Sequence, residues 1–109
     1  MAYDEGVAQR LRDVFAGRTD VTEKRMFGGI AFMHNGNMCV GVSDDVLMAR
    51  VGPDGYEDAL ARPHAREMDF TGKPLRGFVF VDPEGFAEDE DLLAWVRRCE
   101  TFTSSLPAK

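Results

Sequence analysis

Two cysteines and two histidines are all that this chain of 109 residues offers to thiol or metal chemistry. Cys39 and Cys99 are far apart and form no CxxC pair, which excludes a redox motif, a zinc ribbon and a disulfide scaffold. They are expected to be reduced, buried and small-apolar in behaviour. His34 and His64 each stand alone, without a second soft ligand at metal-binding spacing, and no nucleophile elbow supplies a serine for a triad. Long apolar runs are missing as well, since nothing approaches the roughly 20 residues of a membrane span. The start, Met1-Ala2-Tyr3-Asp4-Glu5, is acidic and lacks the apolar centre of a secretory signal, so the expected address is cytoplasmic. Surplus positive charge is absent too. The net charge is −6, and Arg10 to Arg76 holds ten cations against ten anions, leaving the acidic excess at the two ends. Nucleic-acid binding draws on many Lys and Arg contacts to phosphate, so direct binding of that kind is not expected.

Phosphate loops are missing in turn. Gly72-Lys73 fails the GxxxxGK[ST] pattern because position 67 is Glu and position 74 is Pro, and no GxGxxG occurs. The run Glu88-Asp89-Glu90-Asp91 lies where a helix should begin and suits the positive end of its dipole. It lacks the spacing of a calcium loop. No catalytic, cofactor-binding or metal-ligating residue is assigned, and the chain is not expected to be an enzyme.

What is present is patterning for a single domain over residues 1–109. Val7, Leu11, Val14 and Phe15 form one stripe of a helix near 4–16, with Gly17 at its stop. Thr22 to Phe27 reads as an exposed strand. Ile30 to His34 and Met38 to Val42 form a hairpin about Asn35-Gly36, both of which tolerate positive φ. Ser43-Asp44-Asp45 turns into a fourth strand, Val46 to Val51. Gly52-Pro53 predicts the start of a short helix carrying Tyr56, Ala59 and Leu60. Met68 to Phe70 and Gly77 to Val81 read as two further strands, and Asp82 to Gly85 as a turn. The last helix runs from near Asp89 to about Ser104, with Leu92, Trp95 or Val96, Cys99 and Phe102 inward. The class is α+β: an antiparallel sheet with one covered face and helices packed against it, in the order α-β-β-β-β-α-β-β-α.

Two clusters stand out as interaction candidates. Lys24-Arg25-Met26-Phe27 places cations and then apolar residues on a strand that, at a sheet edge, could add to another sheet or form a homodimer. The set Arg62, His64, Arg66, Lys73 and Arg76 is expected to converge around the Phe70-Thr71-Gly72 turn. Gly28-Gly29 predicts a bulge or tight connection, or a backbone that a partner approaches. Met26, Met33, Met38, Met48 and Met68 all fall on strands and read mostly as core, with one or two left for an adaptable binding face.

The segment Met26-Phe27-Gly28-Gly29-Ile30-Ala31-Phe32-Met33 through Val51 resembles the N-terminal domain of the TfoX/Sxy competence-regulator family. Met68-Asp69-Phe70-Thr71-Gly72-Lys73-Pro74 and Gly77-Phe78-Val79-Phe80-Val81 are similar to its later segments. The resemblance implies an α+β fold like that of small secretion-chaperone-like domains. It also implies a regulatory role beside the cyclic-AMP receptor protein, with no established catalytic residues. Full-length members carry a second, helical domain beyond this one, and the chain stops at Lys109, so a direct transcriptional role is not expected here. The first expectation is a non-enzymatic module that binds a protein partner of unknown identity. The alternatives are a small-molecule pocket between sheet and helices, near Gly28-Gly29 and Phe70 to Arg76, and a weak nucleic-acid binder.

Overall fold

A computed structural model of the chain describes residues 3–69 and 72–109. Helix α1 (Glu5–Val14) is capped by Asp4, whose carboxylate accepts the Val7 N–H at 3.1 Å and so satisfies a first-turn amide with no partner inside the helix. Strands β1 (Val21–Met26), β2 (Gly29–His34), β3 (Asn37–Ser43) and β4 (Val46–Arg50) follow as a meander. Helix α2 (Tyr56–Leu60), β5 (Ala65–Asp69), β6 (Pro74–Val81), a 3₁₀ turn at Pro83–Phe86 and helix α3 (Asp89–Thr103) complete the chain. The element order is the expected one. All strand pairs are antiparallel, in the order β1-β2-β3-β4-β6-β5. The second strand of the β5–β6 hairpin, not the first, therefore lies against β4, and β1 and β5 are the edges.

Helix α2 begins at Tyr56 rather than at Pro53. The amides of Val51 and Gly52 both donate to the Gly77 carbonyl, at 2.8 and 3.0 Å. That tie holds the chain against β6 through Gly52, which has φ +82, so the helix starts only after a further turn. The expected turn at 82–85 tightens into the 3₁₀ element, with Pro83 in its first turn. On α3 the buried positions are Leu92, Trp95, Val96, Cys99 and Thr103. Thr103 replaces the expected Phe102 because it lies one turn beyond Cys99 on the same helix face. Phe102 sits at the margin instead, with the Arg50 guanidinium 5.3 Å from its ring.

Two hairpins use turns with positive φ at both central residues. Asn35-Gly36 is the expected one, at φ 52° and 84°. The other is Phe27-Gly28, at φ 54° and 72°, closing the register Met26↔Gly29. Phe27 is thus a turn residue rather than the end of β1. A bulky side chain rarely takes this backbone conformation.

The sheet departs from the expectation of one covered face. β2, β3 and β4 are buried along nearly their whole lengths, so both faces are withdrawn from solvent. One face meets every helix in a core that includes Leu11, Phe15, Phe32, Val40, Leu47, Phe86, Trp95 and Cys99. Phe15 stacks on Phe32 at 5.6 Å. The opposite face has its own cluster, to which the described helices contribute nothing.

Candidate functional site

The site grows from the parity of the strands. On β1, Glu23 binds Arg12 of α1 through two hydrogen bonds, at 2.9 and 3.1 Å, and Arg25 lies over the Tyr3 ring at 5.9 Å. Both therefore point to the helix side, which leaves Lys24 and Met26 on the other. On β2, Phe32 faces the helices and Ala31 and Met33 face away. A register irregularity between Phe32 and Met33 lets Cys39 and Val40 both join the helix-side core while Met38 turns to the open side. Gly77, at φ +92, absorbs one residue of β6, so Leu75, Phe78 and Phe80 all reach the open face.

The resulting surface holds Ala31, Met38, Met48 and Met68 at its floor, 0–4% exposed. Half-buried Met26, Phe27, Met33, Leu75, Phe78 and Phe80 lie around them. Every methionine among the described residues lies here and none on the helix side. Sheet curl brings the two ends of this surface together, because the Phe27 ring of the β1–β2 turn meets Phe78 of β6 edge to face at 6.2 Å. The unusual Phe27 backbone thus places an aromatic ring across the sheet. Gly29, next in line, is buried so tightly that an added Cβ would collide with the Val42 carbonyl and come within 2.9 Å of Ser43 Cα.

Of the residues singled out from sequence, Lys24, Met26 and Phe27 belong to this face, Gly28 is the exposed turn and Gly29 a close-approach position. Arg25 lies on the opposite side. Phe70 and Thr71 lie outside the described residues; Gly72 and Lys73 are exposed on the β5–β6 connection. The basic loop set does not converge. Arg76 lies over Tyr56 at 5.5 Å on the helix side. Arg66 lies over Phe80 at 5.0 Å and pairs with Asp82 at 3.1 Å. Arg62 and His64 line a cleft of about 370 Å³ with Trp95 and Arg98. Arg98 is spoken for by Asp58, at 2.7 Å, and Glu84 and Asp91 bring negative charge to the same walls. A second cleft, of about 410 Å³, lies between α1 and α3. Neither cleft touches Gly28, Gly29 or residues 72–76, where the small-molecule alternative places its pocket.

A constellation that sequence did not suggest joins three distant segments. Asp20 Oδ2 lies 3.2 Å from His34 Nε2, and His34 Nδ1 lies 2.9 Å from Thr103 Oγ1. The chain of groups resembles a hydrolase triad, but Thr103 is 1% exposed and its hydroxyl also reaches the Cys99 carbonyl at 3.2 Å. No substrate reaches a hydroxyl so enclosed, and its place is structural. Cys39 adjoins it, with burial pushing its thiol up to about 11, and burial raises Cys99 as well. Neither sulfur is a nucleophile at neutral pH. The Arg18 guanidinium donates to Asp20, which holds that carboxyl down at about 2, and also donates to Glu100 of α3 at 2.9 Å.

No helix among the described residues is long and apolar enough to cross a membrane. Residues 13–103, most of the chain, match the family model of the TfoX N-terminal domain. No curated protein and no solved structure matches the chain.

Proposed function

The chain belongs to the TfoX N-terminal domain family, a competence-regulator-like domain, and on that premise we propose that it is a non-enzymatic cytoplasmic module working through protein–protein contacts at the half-buried rim of its helix-free sheet face, Met26, Met33, Leu75, Phe78 and Phe80. The observation that carries this reading is the segregation of Met26, Met33, Met38, Met48 and Met68 to the face without helices. Methionine is flexible and polarisable, and it recurs where one surface must fit a partner by adapting to it. A core built only for stability would favour the branched and aromatic residues found on the helix side.

Site-specific photo-crosslinking in the native cell tests the reading. A benzophenone side chain at Met33 or Thr22 should capture discrete protein adducts that survive nuclease. The same probe at exposed Gln9 or Arg97, on the helix side, should capture none of them. Equal capture from both sides, or adducts lost on nuclease treatment, would sink it.

A further inference from the structure

On the helix side, the cleft lined by Arg62, His64, Glu84, Asp91, Trp95 and Arg98 joins three segments. The α2–β5 connection supplies one wall, the 3₁₀ turn the second and α3 the third. These walls are fixed from within. The Asp82 amide donates to the His64 carbonyl at 2.9 Å, and the Ala65 amide donates to that of Arg62 at 3.2 Å. His64 takes φ +68, a left-handed conformation that few residues other than glycine adopt. Such strain persists where the surroundings over-determine it, and it gathers at ligand sites. Gly85 closes the corner, since a Cβ there would stand 2.6 Å from Val81 Cγ1 and 3.1 Å from His64 Cβ.

The lining runs from one charge to the other. Asp91, Trp95 and Arg98 lie at i, i+4 and i+7 of α3, along one stripe of the helix. A carboxylate thus marks one end, an indole the middle and a guanidinium the other end. Arg62 belongs to the guanidinium end, because the Asp58 carboxyl is held below its ordinary range by the Arg98 hydrogen bond and by the charge of Arg62 as well. Arg98 is fixed by Asp58 at 2.7 Å and by the Trp95 ring at 5.6 Å. Arg62, Glu84 and Asp91 have no ion-pair partner among the described residues. Trp95 is 7% exposed, and no side-chain nitrogen among the described residues is buried without a partner. Its unpartnered N–H therefore opens to solvent, where the residue lines the cleft.

Around this cleft the carboxylates of Asp58, Glu84 and Asp91 face the guanidiniums of Arg62 and Arg98. The acids disfavour a phosphate or a polyanion, and the guanidiniums disfavour a simple cation. A ligand that carries both signs suits both ends. Its volume of about 370 Å³ lies near the lower bound for small-molecule sites. The rise from Asp91 to Arg98 is about 10 Å, too long for an amino acid whose two charges flank one carbon. Less an ion contact of about 3 Å at each end, it matches two residues of extended chain at about 3.5 Å each. We infer that this cleft binds a small zwitterion of dipeptide size, its carboxylate on Arg62, its ammonium on Asp91 and Glu84, and its amide carbonyl accepting from the Trp95 N–H. Pro63 and Ala94, which also line the cleft, meet its apolar side chain.

Trp95 is the only tryptophan of the chain, so its fluorescence reads the cleft in the unmodified full chain. The probe is glycyl-leucine, compared with N-acetyl-glycyl-leucine, which lacks the ammonium, and glycyl-leucine amide, which lacks the carboxylate. Glycyl-leucine should change the emission saturably below about 10 mM and bind at least ~10-fold more tightly than either blocked form. Arg62→Gln should erase its advantage over the amide, and Asp91→Asn its advantage over the acetylated form. Both positions are exposed, and cooperative urea unfolding of each variant certifies its fold. No saturable change with glycyl-leucine, blocked forms that bind as tightly, or an Arg62→Gln variant that keeps the full preference overturns the proposal. A stronger response to inorganic phosphate than to glycyl-leucine would make this an anion site and overturn it too. Cross-links from Met33 read the opposite side of the sheet, so this proposal and the docking reading stand or fall separately.

Discussion

The two faces of this sheet are built from different residues for different ends. The helix side is sealed by Leu11, Phe15, Phe32, Val40, Leu47, Phe86 and Trp95, side chains with few rotamers that lock against α1, α2 and α3. The other side is largely methionine and phenylalanine, and the curl of the sheet brings Phe27 onto Phe78 there. Both faces bury apolar area, so burial alone does not separate them. What separates them is composition: branched and aromatic side chains fill one side, and every methionine among the described residues lies on the other.

The comparison breaks most visibly under truncation. Leu47→Ala on the helix side should cost about 2–5 kcal/mol, because nothing can collapse into the space it leaves. Met33→Ala, half-buried on the open face, should cost about 1 kcal/mol. Urea unfolding of both variants checks this, and equal losses would mean that the open face is an ordinary core. A smaller effect is expected where α3 is tied to the hairpin. Thr103→Val keeps the shape but leaves His34 Nδ1 without its 2.9 Å partner, at about 1–3 kcal/mol, and Thr103→Ser should restore most of it. A neutral Thr103→Val would show that the His34–Thr103 contact does not hold this end of the helix face.

Acid gives the smallest effect, through Asp20 on the helix side. Hydrogen bonding from Arg18 lowers Asp20 from 3.8 to about 2, so the folded state holds this carboxyl ionised more firmly than the unfolded chain does. The contribution is complete above about pH 4 and is lost as pH falls through about 2. The Asp20 side chain is 36% exposed, so solvent screens the pair and the slope is shallow. Urea midpoints followed down this range should fall less steeply in Arg18→Gln than in the parent. Identical slopes would remove the Arg18–Asp20 pair from the account.

Much of this architecture was legible in the residues. Asn35-Gly36 announced its hairpin, the Val7–Leu11–Phe15 stripe its helix, and Asp89–Asp91 the start of α3. The basic edge at Lys24 was visible, and β1 is an edge. The open face was only half visible. The five strand methionines stand out in the sequence, but the register irregularities at Phe32/Met33 and Glu67/Asp69 and the left-handed Gly77 each shift a strand, and alternation read straight through them assigns the wrong side. Phe27 reads as a strand end because Phe-Gly is a poor turn by local preference, and tertiary contacts such as the one with Phe78 offset that. Arg62, His64, Arg66 and Arg76 looked like one patch because they are near in sequence, yet they divide among a cleft, an ion pair and an aromatic ring.

The sequence by itself determined the elements, their order, most turns and the family, because these rest on interactions between residues a few positions apart. The tertiary structure decided which strand lies beside β4, which face each methionine occupies and that Asp20, His34 and Thr103 meet. Those outcomes depend on contacts between distant segments, where bulges, sheet curl and competition for the same backbone groups choose among arrangements that local preference leaves nearly equal.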